Sequence, residues 1–293
     1  MTENVHFCPG FHETINNMEN FGISMLWFWL CYINGLEDRN IKTAICYFSG
    51  TGNGFDLALR LNECITNSAV FNIPNIDVNS LHDYEKIVIV SPIYCFGVPA
   101  AIKTFLQKLS NYNHKTFYGI LHSGGFSGNA KYYFRTIFDK NGLSCNNIYK
   151  LQMPENYTIS FVPPEKHINK QLKKSRKTIE LIAKKIIANN KGNIKKNLFS
   201  FCDKIHEKTA AQLAAMSKEH FNVTDNCNKC RLCIKICPAK NIEMENGKIK
   251  FNENCFACLA CYHRCPACAI NYEDKTYNKK RYVNPNVDLN KME

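Results

Sequence analysis

The sequence has no apolar run long enough to cross a bilayer. Its longest candidate, FGISMLWFWLCYINGL at residues 21–36, falls short of the roughly 20 residues a spanning helix needs. A helix packed on the protein is the favoured reading of that stretch. Membrane contact with Trp27 and Trp29 at the interface is the lesser one. Residues 1–40 also lack the basic flank of a secretory signal and the arginines of a mitochondrial presequence, since they hold five acids and a single base, Arg39. No long disordered tract is present, and no acid–base constellation has convincing spacing. The Gly-rich loop SGTGNG, between a strand and a helix, carries neither G-K-[ST] nor G-x-G-x-x-G, which excludes a Walker loop and a dinucleotide fingerprint there.

What the chain does have is cysteine. Nine of its sixteen cysteines lie in the last quarter. Without a signal peptide this is not a secreted disulfide scaffold, and a reducing cytoplasm with thiols kept for metal is expected. CNKCRLCIKICP (227–238) and CFACLACYHRCP (255–266) repeat one spacing, C-x2-C-x2-C-x3-C-P. That is the bacterial ferredoxin run, in which the fourth cysteine serves the other cluster. Two-residue gaps let a tight loop wrap three thiolates around one face of a cubane. Cluster one is therefore expected to use Cys227, Cys230, Cys233 and Cys265, and cluster two Cys255, Cys258, Cys261 and Cys237. Between the blocks, NIEMENGKIKF reads as a β-hairpin turning at Asn246–Gly247. Zinc, which favours two separated ligand pairs, fits the spacing poorly. Cys268 has no slot in the pattern and reads as a small packed residue near a cluster. His263 reads as a packing or exposed side chain rather than a ligand.

The N-terminal half alternates strands and helices. IKTAICYF is followed by SGTGNG and a helical pattern. Strand, loop and helix recur at Lys86–Val90, Ser91–Val98 and Pro99–Leu109, and again at Lys115–His122, Ser123–Gly128 and Asn129–Phe138. Further strands are expected at 69–73 and 148–153. This order argues for a doubly wound parallel sheet. The first loop has the form of an anion cradle at a helix N-terminus. Cys46 reads as core, and His122 as a structural histidine at a strand end.

The loops SGTGN, SPIYCFGVP and HSGGFSGN, in that order, resemble the three FMN-contacting loops of flavodoxins, over roughly residues 41–190. With the cysteine module, and with MPENY (153–157) and KRYVNPNV (280–287), the whole resembles the flavodoxin–ferredoxin fusion proteins of anaerobes. The resemblance implies an α/β flavodoxin-like doubly wound parallel sheet of order 2-1-3-4-5, plus a small α+β two-cluster ferredoxin-like domain. It also implies two [4Fe–4S] clusters and FMN as cofactors. Ser49, Gly50, Thr51, Gly52, Asn53 and Gly54 would bind the FMN phosphate. Tyr94, Cys95, Phe96 and Gly97 would lie beside the isoalloxazine ring, and Ser123, Gly124, Gly125 and Phe126 at its polar edge. Gly54 departs from the family's Thr or Ser, and losing one hydrogen bond to a charged group costs about 1.5–3 kcal/mol.

The domain expectation is an N-terminal extension (1–40), an FMN domain (41–190), a basic helical linker (191–220), a ferredoxin-like domain (221–272) and a tail (273–293). Residues 166–208 carry thirteen Lys or Arg against three acids. Isoleucines at helical spacing within them place the lysines on a solvated helix face. The sharper reading is a docking surface for an acidic redox partner protein, and no nucleic acid is expected. The function expected is electron transfer between two clusters and FMN. The alternatives are a flavin-dependent reductase of a small acceptor and an FMN-free iron–sulfur redox-sensing module.

Overall fold

The computed structural model describes residues 41–292. The apolar stretch at 21–36 and the rest of the N-terminal extension lie outside the described residues. Five short runs of β-formers make one parallel sheet: β1 (Thr43–Tyr47), β2 (Ser68–Asn72), β3 (Lys86–Pro92), β4 (Thr116–Ser123) and β5 (Cys145–Gln152). Its strand order is β2-β1-β3-β4-β5, with every pairing parallel. This is the order the flavodoxin resemblance implies. β1 and β3 are buried along their whole length because helices cover both faces.

The crossover helices are α1 (Asn53–Cys64), α2 (Ala100–Lys108) and α3 (Ala130–Lys140), and α4 (Glu165–Ile187) follows the last strand. Two apolar layers result. One packs α2 and α3 on the sheet through Ile102, Phe105, Phe134 and Phe138. The other packs α1 and α4 through Leu57, Leu61, Ile179 and Ile186. The spacing of Leu172, Ile179, Ile182 and Ile186 turns one stripe of α4 inward and leaves its lysines in solvent. Lys86, at the base of β3, reaches the carbonyls of Ile186 and Ile187 at the C-terminus of α4, where a cation opposes the helix dipole.

After α4 the chain crosses the molecule to α5 (Phe201–His220) and enters the cysteine-rich module. There β6 (Phe221–Val223) pairs antiparallel with β9 (Ile270–Tyr272), and β7 (Ile242–Glu245) with β8 (Lys248–Phe251). The β7–β8 turn falls at Asn246 and Gly247, both at positive φ (51° and 75°), as a two-residue primed turn requires. Two single-turn helices, α6 (Leu232–Lys235) and α7 (Ala260–His263), follow the two cysteine loops. Cys258 and Ala260 pack into the α2/α3 layer of the sheet domain. Among the described residues, no helix is long and apolar enough to cross a membrane.

Candidate redox centre

The two cysteine blocks fold as copies of each other. Lys229 and Ala257 both have φ near +55°, Arg231 and Leu259 near +59°, and Lys240 and Cys268 near +49°. Each pair is separated by the same interval in sequence. Left-handed positions alternating with right-handed ones point backbone N–H groups to the inside of the loop, where they meet sulfur. Asn241 N–H donates to Cys237 Sγ at 3.3 Å, and its repeat mate Ala269 N–H donates to Cys265 Sγ at 3.3 Å. Ala257 N–H donates to Cys255 Sγ at 3.2 Å. Such bonds stabilise thiolate charge and tune a cluster's potential.

Burial pushes the Cys258 thiol up to about 12 and that of Cys233 up to about 11, with neighbouring thiols adding to the effect. The neighbours fall into two sets. Cys233 is influenced by Cys265, Cys227 and Cys230. Cys255, Cys258 and Cys261 are each influenced by Cys237. Electrostatically, Cys237 goes with the second trio and Cys265 with the first. Cys233 also acts on Cys261, so the two sets adjoin. Two sets of four thiols, each with three from one block and one from the other, suit the donor requirement of two [4Fe–4S] clusters.

The second set faces the sheet domain. A Cβ added at Gly50, in the loop after β1, would overlap the carbonyl oxygen of Cys258, so the loops are in backbone contact. Tyr94 Oη is buried beside the Asn156 side chain. Burial first, and then Cys258 and Glu155, hold this phenol well above its ordinary range. The Gly50→Ala variant should lose about 1–3 kcal/mol through overpacking, a fall in Tm of roughly 2–4 °C per kcal/mol for a chain of this size. Thermal denaturation checks it.

The remaining loop residues are covered from three sides. Ser49 Oγ accepts from the N–H groups of Gly52 (3.0 Å) and Gly54 (3.2 Å). Thr51 Oγ1 accepts from Asn156 Nδ2 at 3.1 Å. Asn53 donates to the Pro154 carbonyl at 2.9 Å, and its Oδ1 accepts from Tyr282 Oη (2.7 Å) and Asn284 Nδ2 (3.2 Å). Asn284 N–H donates to the Thr51 carbonyl at 2.8 Å. Around Gly52 (φ 94°), Val287, Leu289 and Asn284 lie about 3 Å from where a Cβ would stand. At the second loop, the His206 ring of α5 fills the space beside Gly97, and its Nδ1 lies 3.1 Å from the carbonyls of both Tyr94 and Cys95. At the third, Glu155 packs on Gly124. Phe126 is exposed, with its ring 5.0 Å from Phe199 and 6.0 Å from Phe96.

The residue types suit FMN, because hydroxyl, amide and backbone N–H groups gather at a helix N-terminus. With residues 282–289 seated, the place of its phosphate is taken. These hydroxyl and amide groups and two of the N–H donors are already bonded within the chain, and residues 282–289 stand over Gly52.

Residues 220–266 match the family described as "4Fe-4S dicluster domain", and residues 78–150 match that described as "NADPH-dependent FMN reductase". The chain joins a flavodoxin-like domain to a 4Fe–4S dicluster domain. The first match brings two [4Fe–4S] clusters and the second FMN. Among solved structures, the chain is similar to the Streptococcus pneumoniae TIGR4 flavodoxin, at 16% identity and TM-score 0.36, over 50% of this chain and 97% of that one. It is also similar to a flavoprotein in complex with FMN from Lactobacillus acidophilus, at 22% identity and TM-score 0.32, over 38% and 93%. A third likeness is to rubredoxin oxygen:oxidoreductase from the anaerobe Desulfovibrio gigas, at 17% identity and TM-score 0.36, over 57% and 42%. No curated protein matches the chain.

In the dicluster domain, Cys268 is exposed at the repeat's left-handed turn, the mate of Lys240, and is not the packed residue its spacing suggested. His263 is buried. Its Nε2 lies 2.7 Å from the Asn156 carbonyl, and its Nδ1 accepts from Tyr282 N–H at 3.0 Å. Burial pushes its pKa down to about 4, so the neutral ring ties the MPENY segment to the tail. His122 is buried beneath the first loop, with Nε2 unpartnered and 3.3 Å from the position of a Gly54 Cβ. Asn156, Tyr282, Asn284 and His206 went unassigned in the sequence reading. The first three lie in MPENY and KRYVNPNV, so those motifs are the pieces that close the first loop of the flavodoxin-like domain.

Proposed function

We propose that the chain is an electron-transfer iron–sulfur flavoprotein in which the dicluster domain relays electrons between an outside partner and the flavodoxin-like domain, whose cofactor is FMN. The observation that carries this reading is the seat of the Cys258 loop on Gly50. It sets the second thiol set at the switch point of the sheet, the place where a doubly wound fold keeps its ligand. The clusters supply one-electron chemistry when bound. The chain's own residues fix the rest. Asn241, Ala257 and Ala269 direct N–H groups at the sulfurs. Phe48 and Phe256 pack edge to face across the seam, which helps to exclude water from it. Tyr94, in the second loop, holds its buried phenol near the Cys258 thiol.

A reducing cytoplasm in an oxygen-poor cell suits this reading. All described cysteines are free thiols, and Cys230, in the first block, is exposed. Anaerobic purification followed by iron and flavin quantitation tests the proposal. About eight irons per chain are expected from two four-iron clusters, with the broad absorbance of [4Fe–4S] centres that bleaches on reduction. A protein with fewer than about four irons under those conditions would overturn it.

A further inference from the structure

We infer that the face around the first thiol set, marked by Lys229, Arg231 and Lys240, is the docking surface for an acidic one-electron carrier protein. This inference rests on the electron-transfer reading above. The internal repeat supplies the comparison that carries it. Both blocks have the same backbone, with the same three left-handed positions. In the second block those positions hold Ala257, Leu259 and Cys268. Ala257 and Leu259 are buried in the domain's own core with Met216, Ile242 and Phe251, while their neighbours Cys258 and Ala260 pack on the flavodoxin-like domain. In the first block the same positions hold Lys229, Arg231 and Lys240, all exposed. One copy of the fold faces protein and is neutral. The other faces solvent and is basic.

Charge is confined to match. From Thr224 to Asn241 the dicluster domain carries four cations and one anion, Asp225. From Asn252 to Ala269, in the second block, Arg264 and Glu253 offset each other. Lys248 and Lys250 on the hairpin are matched by Glu243 and Glu245, and Lys250 makes ion pairs with both acids. The net charge of the domain therefore sits on the loop that wraps the first thiol set. Cys230 is exposed at its centre, which shortens the path for an electron arriving from outside. A basic rim around an exposed redox centre speeds encounter with a carboxylate-rich partner and orients it. The lysines of α4 are more numerous, but they line a helix packed on the opposite layer, among α1 and the sheet. In the transfer, the partner's centre is oxidised by one electron, the first cluster is reduced by one, and no bond or proton moves.

The test uses the full chain with both clusters in place. A chemically reduced, acidic plant-type [2Fe–2S] ferredoxin is mixed with it in a stopped-flow instrument at several salt concentrations. The wild type should be reduced rapidly at low salt and progressively more slowly as salt screens the rim. Lys229→Glu/Arg231→Glu/Lys240→Glu should slow reduction at low salt by about tenfold or more and abolish the salt dependence. Reversing Lys173, Lys174 and Lys177 on α4 should leave the rate unchanged. If the triple reversal does not retain its iron, the single Lys240→Glu, farthest from the ligating thiols of its own block, should still show a reduced salt slope. Zero-length cross-linking to the ferredoxin should join Lys229 or Lys240 to its carboxylates. Unchanged rates in the rim variants, or loss of rate in the α4 variant instead, overturn the inference. So does a rim that retains DNA while electron transfer is unaffected. A wild-type chain without clusters overturns the electron-transfer reading itself, and iron analysis of the same sample separates the two failures.

Discussion

Replacing Cys237 by serine removes the second cluster and spares the first. Iron content should fall from about eight to about four per chain, and the remaining four-iron signal should belong to the trio at 227, 230 and 233 with Cys265. The reasoning is positional. Cys237 closes the first sequence block, yet its charge acts on Cys255, Cys258 and Cys261. Cys265→Ser should do the converse, removing the first cluster although its sequence neighbours belong to the second. The two variants are also distinguishable by what they disturb. The first empties the seat against Gly50 and Tyr94, so it should destabilise the join between domains. The second empties the exposed site and should leave that join intact. Iron quantitation with low-temperature EPR of the reduced proteins reads the first outcome, and limited proteolysis between domains reads the second. If each variant lost the cluster of its own block, the crossed arrangement would be refuted.

The second large effect concerns FMN. With residues 282–289 seated, the first loop's hydroxyl and amide groups are bonded to Asn156, Pro154, Tyr282 and Asn284. The end of the chain is fastened too, since Met292 accepts from Tyr47 Oη and Asn72 Nδ2 through its carbonyl. FMN phosphate and this segment compete for one place. Tyr282→Phe/Asn284→Ala removes the two side-chain hydrogen bonds to Asn53, of about 1 kcal/mol each, together with the Asn284 bonds to Asp56 and Asn286. It should tighten FMN binding by roughly tenfold to thirtyfold, measured by quenching of flavin fluorescence. Deleting residues from Val287 onward should act in the same direction by clearing Gly52. Those variants keep every cysteine, so iron content is the control. Weaker FMN binding with full iron would show that the tail forms part of the flavin site rather than its cover.

Much of this was legible in the sequence, for identifiable reasons. Strand and helix periodicity in Ile41–Met153 gave the doubly wound sheet, because a parallel strand must be apolar on both faces and its crossover helix on one. β2 and β5 are the least apolar strands and were the least sharply bounded. β5 begins at Cys145, with Asn146 and Asn147 preceding its apolar run. The repeat spacing gave the eight clustered cysteines, since ligand intervals are local. The Asn246–Gly247 hairpin is likewise a local matter of positive φ. What escaped was everything that depends on distant segments. Nothing near Asn53 announces that it will bond Tyr282 and Asn284 more than two hundred residues later. Nothing near Gly97 announces the His206 ring. The loop residues had the chemistry of an anion cradle, and only their partners show how that chemistry is used.

By itself, the sequence determined the fold class, the twofold cysteine module and the type of ligand each part is built to hold, because those follow from periodicity, turn geometry and thiolate spacing within short stretches. The tertiary structure decided which block faces inward, where the basic rim is exposed and what covers the first loop. Those are set by which surfaces bury together when the modules pack. That packing balances apolar contact and long-range hydrogen bonds between segments whose separation along the chain carries no local signal.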